Sequence, residues 1–113
     1  MSFGMDWWSD MSGRSKLVFM NGPYAGRSIA LSPGKAITIG RDHGIELSLK
    51  DEHLSRRHCV ITSENNRFSI ADLGSVNGTF VNGSRLTETT ELQAFDRVFF
   101  GSTEMEFRED NSD

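Results

Sequence analysis

The chain has 113 residues, 36% of them apolar, which is enough for one compact domain and too short for two. Its formal net charge of −4 excludes a general attraction to nucleic acid or to an anionic membrane, so any bound anion must be held locally. A single cysteine excludes an internal disulfide, and no signal peptide or membrane-length apolar run is present, so we expect a cytoplasmic protein.

Residues 1–16 mix Ser, Gly, Met and acidic side chains without any period, which predicts a flexible leader. Trp7 and Trp8 are unusual there, because exposed indole rings are costly when nothing covers them. Two explanations remain open: the pair packs on the domain, or it contacts a partner. The predicted domain covers residues 17–108, and residues 109–113 are expected to form a disordered tail.

From Leu17 onward the sequence consists of short apolar or alternating segments separated by turn residues. Alternation with a period of two places successive side chains on opposite faces, so each such strand is expected to bury one face. The strands predicted in the first half cover residues 17–20, 26–31, 36–41 and 45–49.

The second half of the sequence predicts strands in hairpin pairs. Asn82-Gly83 is favoured in two-residue hairpin turns, because both central residues need a positive φ. The predicted strands cover residues 58–63, 67–72, 79–81, 84–86, 97–101 and 103–107. No segment of a dozen residues has the apolar spacing of a core-facing helix. The pattern therefore predicts an all-β protein, a β-sandwich of two sheets.

Polar side chains concentrate in the loops between these strands. The run Ser55-Arg56-Arg57-His58 places a hydroxyl, two guanidinium groups and an imidazole together, and Asn77 adds a carboxamide on the next loop. Arg41 follows an earlier strand. These groups donate many hydrogen bonds and accept few. They would suit phosphothreonine, which brings about −1.5 to −2 charges and three acceptor oxygens.

The same blocks resemble the forkhead-associated (FHA) domain family in residue type, order and spacing. The blocks are Gly40-Arg41, Ser55-Arg56-Arg57-His58, Asp72-Leu73-Gly74-Ser75, Asn77-Gly78-Thr79 and Asn82-Gly83. The resemblance covers roughly residues 17–107. It implies a sandwich of about eleven short strands that reads phosphothreonine peptides with loops gathered at one end.

The resemblance also implies roles for individual residues. Arg41 is expected to hold the phosphate through its guanidinium fork, Ser55 through its hydroxyl and Arg56 as a second cation. Asn77 suits the main chain of the ligand, because its carboxamide offers both a donor and an acceptor.

Specificity is expected from two further positions. Val76 would form the wall of a niche for the threonine methyl group, at a place where the family often has a hydroxyl residue. His53 would lie on the rim that reads the third residue after the phosphothreonine. Charging His53 near its unperturbed pKa of about 6.5 would then favour acidic ligands at lower pH.

Four other residues of these blocks are interpreted as structural support for the site. Gly40 would let its strand end sharply, His58 would hydrogen-bond within its loop, and Asn82 with Gly83 would set the hairpin. Arg57 could serve either the scaffold or the rim. The sequence also departs from the family, which commonly has Gly-Asp where this chain has Phe95-Asp96. Phenylalanine avoids the left-handed conformation, so we expect this loop to have its own shape.

Enzymatic and metal-binding interpretations are weaker. Ser55, His58 and Asp72 supply the residue types of a hydrolase triad, but the sequence has no Gly-x-Ser-x-Gly elbow. The spacing of the histidines and the cysteine matches no zinc pattern. We therefore expect neither catalysis nor a metal or other cofactor.

The leading hypothesis is a phosphothreonine-binding module that recruits a phosphorylated partner, or a phosphorylated segment of its own parent protein. Thr87, Thr89 and Thr90 are candidate kinase targets, and their phosphates would link neighbouring molecules by self-association. The alternative is a scaffold of the same fold that ignores phosphate and binds partners through a sheet face or through Trp7 and Trp8.

Overall fold

A computed structural model describes residues 14–110, and this part of the chain consists of eleven β-strands joined by turns and loops. The strands are β1 (Arg14–Phe19), β2 (Ser28–Leu31), β3 (Ile37–Gly40), β4 (Leu47–Ser48), β5 (Cys59–Glu64), β6 (Arg67–Asp72), β7 (Thr79–Val81), β8 (Ser84–Arg85), β9 (Thr90–Glu91), β10 (Arg97–Phe100) and β11 (Thr103–Asp110). Within the described range there is no helix with the length and apolar character needed to cross a membrane.

The strands form two sheets, as the sequence predicted. One sheet has the order β2-β1-β11-β10-β7-β8, and the other has the order β4-β3-β5-β6-β9. Every pairing is antiparallel except that of β3 with β4, which is parallel. The all-β sandwich is thus confirmed.

The hydrophobic core lies between the two sheets. Alternation places one face of each long strand inward, so that β10 buries Val98 and Phe100 and exposes Arg97 and Phe99. Burying a large apolar side chain contributes about 1.5–3 kcal/mol, so these inward faces hold the sheets together. Core side chains with no solvent exposure are Leu17, Ile39, Cys59, Ile70, Val98, Phe100, Met105 and Phe107.

Both ends of the domain extend further than the sequence predicted. β1 begins at Arg14, inside the predicted leader of residues 1–16, and β11 runs to Asp110, inside the predicted tail of residues 109–113. The two extensions pair with each other, Arg14 opposite Asp110 and Lys16 opposite Arg108. Polar residues hid this pairing, because they show no apolar alternation. Trp7 and Trp8 lie outside the described residues.

One strand was missed within the domain. β9 lies in the stretch from residue 87 to 96 that was interpreted as a connection. It has two residues, Thr90 and Glu91, which pair with Ile70 and Ser69 of β6. A strand this short has too few residues to show a period. Its pairing is therefore a tertiary contact that no local pattern indicates.

Three loops meet at one end of the sandwich, β3–β4 (41–46), β4–β5 (49–58) and β6–β7 (73–78). Backbone hydrogen bonds join the first two, since the amides of Arg41 and Asp42 donate to the carbonyls of Ser55 and Arg56, both at 3.1 Å. The β10–β11 turn lies at the same end, because Asp51 accepts hydrogen bonds from Ser102 and Thr103.

The loop at Phe95 corrects a prediction. Phe95 adopts a left-handed φ of 72°, the conformation that glycine takes cheaply and that we expected phenylalanine to avoid. Hydrogen bonds enforce it: the amide of Phe95 donates to the carbonyl of Phe107 at 2.7 Å, and the carboxylate of Asp96 accepts from Gln93 and Asn82. These contacts outweigh the local preference.

Replacing Phe95 with glycine should therefore raise the free energy of unfolding by about 0.5–1 kcal/mol, because it removes most of the left-handed penalty of about 1–2 kcal/mol. The side chain is 70% exposed, so little packing is lost. Urea unfolding measures the difference. Asn65→Gly is the matched control at φ 55° and should gain less, since asparagine tolerates this conformation. Destabilisation by Phe95→Gly would contradict the prediction.

Candidate functional site

The three loops enclose a pocket of about 360 Å³. All six residues that the sequence predicted to contact a phosphopeptide line this pocket, together with Glu52 and Leu54. The six are Arg41, His53, Ser55, Arg56, Val76 and Asn77. The loops thus bring together side chains that lie as far as 36 positions apart in the sequence, from Arg41 to Asn77.

Arg41 is exposed but anchored. Its Nε donates a hydrogen bond to the carbonyl of Leu54, while its backbone amide donates to Ser55. Neither terminal guanidinium nitrogen has a hydrogen-bond or salt-bridge partner within residues 14–110. Arg41 therefore presents two free donor groups on a side chain whose position is fixed at Nε.

Ser55 and Val76 connect the second loop to the third. The hydroxyl oxygen of Ser55 accepts a hydrogen bond from the amide of Val76 at 3.0 Å. This contact fixes the oxygen and leaves the hydroxyl proton free to be donated to a ligand. The side chain of Val76 is 82% exposed, so it offers an apolar surface at the pocket edge.

Asn77 makes a second connection between the same loops. Its Nδ2 donates to the carbonyl of His53 at 2.8 Å. One further N–H and the carboxamide oxygen remain for a ligand. The side chains of His53 and Arg56 are exposed at the pocket, and the only described contact of each residue is through its backbone.

His58 is completely buried between the second and third loops. Its Nδ1 accepts from the amide of Ser55 at 3.1 Å, and its Nε2 donates to the carbonyl of Gly78 at 2.8 Å. This pattern requires the neutral imidazole with the proton on Nε2. Because both nitrogens bond to backbone groups, the triad of Ser55, His58 and Asp72 is not assembled.

Gly40 supports the site for a different reason from the predicted one. Its φ is not positive, so no special turn is required there. A Cβ at this position would instead lie 2.0 Å from the carbonyl oxygen of Arg56 and 2.9 Å from that of Ser55. Glycine is needed because the backbones of the first two loops approach each other so closely.

Asn82 and Gly83 form the expected hairpin turn, with φ values of 51° and 84°. The turn lies at the end of β7 that is distant from the pocket, and Asn82 hydrogen-bonds to Asp96 and Arg97. The prediction that these residues support the site directly is therefore corrected. They act through the hairpin, whose register places Arg85 opposite Phe80.

Asp51 is a supporting residue that the sequence analysis missed. Its carboxylate accepts four hydrogen bonds at 2.8–3.0 Å, from the amides of Ser102 and His53 and the hydroxyls of Ser102 and Thr103. Burial opposes ionisation, but these four donors outweigh it and hold the pKa of Asp51 below its ordinary value. Asp51 thus ties the loop of Ser55 and Arg56 to the β10–β11 turn.

Asp72 organises the third loop in the same way. It accepts hydrogen bonds from the amides of Gly74 and Ser75 at 3.0 and 2.9 Å and from the hydroxyls of Ser75 and Thr79, both at 2.6 Å. Burial raises the pKa of Asp72, but these donors lower it more, so the net pKa is depressed. The loop that carries Val76 and Asn77 is folded around this carboxylate.

Asp51→Asn should lower the free energy of unfolding by about 2 kcal/mol at pH 7, because an amide cannot accept all four hydrogen bonds. The depressed folded-state pKa means that the stabilisation is complete above the ordinary value of 3.8 and is lost as pH falls through the folded-state pKa. The difference between wild type and variant should therefore shrink below pH 3.8.

Urea unfolding between pH 3 and pH 7 measures this prediction. Glu52→Gln is the matched control, because the neighbouring carboxylate has no hydrogen bond or salt bridge within the described range. It should change stability little at either pH. An Asp51→Asn deficit that persisted unchanged at pH 3 would show that shape, and not charge, carries the effect.

The free cysteine is structural. Cys59 is fully buried in the core, and burial raises the pKa of its thiol to about 12. The thiolate, which is the reactive form, is therefore scarce at neutral pH. Across residues 14–110, no three His, Cys, Asp or Glu side chains come together as a candidate metal site.

Comparison with known proteins gives consistent matches. The FHA domain model matches residues 37–101. The chain is 38% identical over 82 residues to an FHA domain-containing protein of Arabidopsis thaliana, covering 72% of this chain and 21% of that protein. It is 44% identical over 71 residues to the glycogen accumulation regulator GarA of Mycobacterium tuberculosis, covering 62% and 43%. The chain therefore spans less than half the length of these two relatives.

Solved structures resemble the whole described fold. The FHA domain of an Arabidopsis thaliana hypothetical protein has a TM-score of 0.81 at 32% identity, with 100% of this chain and 94% of that chain covered. A structure from a study of phosphothreonine-dependent FHA domain interactions has a TM-score of 0.75 at 32% identity, with 84% and 95% covered.

Proposed function

The chain belongs to the FHA domain family, and from this membership we propose that it is a phosphothreonine-dependent module that recruits a phosphorylated protein. FHA domains are interaction modules and not enzymes. The observation that carries the proposal is the convergence of Arg41, Ser55 and Asn77 on one pocket, each anchored by one hydrogen bond and each with donor groups left over.

Each pocket residue has a defined task in this proposal. The terminal nitrogens of Arg41 and the hydroxyl of Ser55 donate to phosphate oxygens, while Arg56 adds a second positive charge. Asn77 pairs with the peptide backbone of the ligand, and the exposed Val76 contacts the threonine methyl group. His53 lies at the pocket and contacts the residues that follow the phosphothreonine.

Relatives support this assignment by their described ligands. One structural relative comes from work on phosphothreonine-dependent FHA domain interactions. Another, the FhaA FHA domain, was solved in complex with an intracellular domain and is 32% identical at a TM-score of 0.74, covering 83% of this chain. The buried free thiol of Cys59 fits a reducing compartment, so we propose a role in cytoplasmic signalling.

The test is calorimetric titration with three versions of one peptide, carrying phosphothreonine, unmodified threonine or phosphoserine. We expect binding only to the phosphorylated peptides, with phosphothreonine tighter because Val76 contacts its methyl group. Equal affinity for the phosphorylated and unmodified threonine peptides would reject phosphate dependence. Equal affinity for the two phosphorylated peptides would reject only the role of Val76.

The partner could be another copy of the same chain. Thr87 and Thr89 are exposed between β8 and β9, where a kinase can reach them, and Thr90 is half-buried at the start of β9. A phosphate on this segment would be a ligand for the pocket of a second molecule. Mass spectrometry after kinase treatment, followed by size-exclusion chromatography, tests this. Phosphorylated protein that remains monomeric when concentrated would exclude it.

A phosphate-independent scaffold is the second candidate, favoured by the outer face of the six-stranded sheet. Phe80 and Phe99 pair across β7 and β10 with ring centroids 6.2 Å apart, and Phe99 is 40% exposed. This face would hold partners if binding survives Arg41→Ala but is lost on Phe99→Ser. The opposite pattern would support the phosphate pocket.

A further inference from the structure

A second and larger pocket adjoins the first. It has a volume of about 570 Å³ and shares Arg41 and Glu52 with the smaller one. Its other polar side chains come from the β1–β2 loop and the segments around β4: Tyr24, His43, Ser48 and Lys50. The family alignment of site residues does not use these four, and the proposed phosphate contacts leave the pocket empty of any assigned role.

The geometry of this pocket follows from the parallel pairing of β3 with β4. Gly40 lies opposite Ser48, and the amide of Leu49 donates to the carbonyl of Gly40 at 2.9 Å. The chain of β4 therefore runs beside Arg41 and delivers Lys50 next to it. Tyr24 forms a further wall, because its ring packs against Phe19 at a centroid distance of 5.5 Å.

The polar groups of the pocket favour an anion. Lys50 and His43 form no salt bridge within the described residues, and the hydroxyls of Ser48 and Tyr24 are free of hydrogen bonds in the same range. Of the two acidic residues, Asp51 has its carboxylate occupied by four donors. Glu52 is the one acid that would oppose an anion.

We propose that this second pocket binds a second anionic group, a phosphoryl or a carboxylate, on the same peptide whose phosphothreonine occupies the first pocket. Lys50 supplies the charge, and the hydroxyls of Ser48 and Tyr24 supply hydrogen bonds. Arg41 lines both pockets, so the two anionic groups lie close enough for one extended peptide to carry both. The inference rests on the proposed function.

Peptide geometry sets the spacing to be tested. An extended chain advances about 3.3 Å per residue, so groups two to four residues apart are separated by about 7–13 Å. The peptide series therefore keeps one phosphothreonine fixed and places a second residue two, three or four positions before or after it. That second residue is phosphothreonine, aspartate, lysine or alanine.

Calorimetric titration of this series gives the readout. At one or more spacings, a second phosphothreonine should tighten binding about tenfold over alanine, and aspartate by a smaller factor. Lys50→Met should abolish the gain and leave the affinity for the singly phosphorylated peptide within about twofold of wild type. Lys35→Met is the matched control: this exposed lysine lies at the opposite end of the sandwich, in the β2–β3 loop, and its loss should change neither value.

The outcomes separate this inference from the function on which it rests. If the singly phosphorylated peptide binds but no spacing of a second anionic group adds affinity, the second pocket is not an anion site and the function stands. A greater gain from lysine than from either anionic residue would show that Glu52 dominates, and would also overturn the inference. If no phosphorylated peptide binds, both fall. A gain from phosphothreonine without one from aspartate would assign the pocket to phosphoryl groups alone.

Discussion

Arg41→Ala should weaken the binding of a phosphothreonine peptide by about a hundredfold, which corresponds to about 2.8 kcal/mol. The terminal nitrogens of Arg41 have no partner within the described residues and line the pocket, so they are the strongest available phosphate donors. The alanine variant should remain folded, because the side chain is exposed and its only internal bond is to the carbonyl of Leu54.

Two further variants make this result specific. Arg41→Lys keeps the charge but loses the fork and the bond from Nε, so an intermediate loss of affinity is expected. Arg57→Ala removes one positive charge from the same end of the molecule, but Arg57 does not line the pocket and lies 4.0 Å from Asp42. It should weaken binding only slightly. Equal losses from Arg57→Ala and Arg41→Ala would mean that general charge, and not a local contact, attracts the ligand.

Gly40→Ala should lower the free energy of unfolding by at least about 3 kcal/mol, the upper range for a forced steric overlap. The added Cβ would lie 2.0 Å from the carbonyl oxygen of Arg56, and backbone atoms cannot move aside as a flexible side chain can. Relief of the overlap requires the first two loops to separate, which would also break the hydrogen bonds from Arg41 to Ser55 and from Asp42 to Arg56.

Gly34→Ala is the matched control for this substitution. Gly34 has a φ of 84° but no atom within 4 Å of an added Cβ, so its replacement costs only the left-handed conformation, about 1–2 kcal/mol. Thermal and urea unfolding of both variants measure the comparison. If Gly40→Ala were no more harmful than Gly34→Ala, the close contact between the loops could not be important for stability.

Local patterns in the sequence were sufficient for the fold and for the residues that line the site. Alternation marked most strands, and short blocks of Gly, Arg, Ser, His and Asn marked the loops. What local patterns could not show was the physical reason for each residue. Gly40 was predicted to end a strand, but its role depends on Arg56, which lies 16 positions later and approaches only in the folded chain.

Long-range hydrogen bonds explain the remaining differences. Asp51 bonds to Ser102 across 51 positions, so an ordinary loop aspartate became a main support of the binding end. Phe95 takes a left-handed conformation because Phe107 and Asp96 constrain its loop, against the preference of the residue itself. In both places the tertiary contacts decide the outcome, and sequence neighbours carry no signal of them.

The pairing of β1 with β11 has a consequence for how such a domain is attached. Arg14 lies opposite Asp110, so the two points at which the domain joins the rest of a polypeptide are neighbours. They are at the far end from the pocket, since β1 approaches the binding loops with its other end, where Asn21 donates to Ser102. The domain can therefore be inserted into a surface loop of a host protein like a plug on two adjacent wires, with its binding end pointing outward.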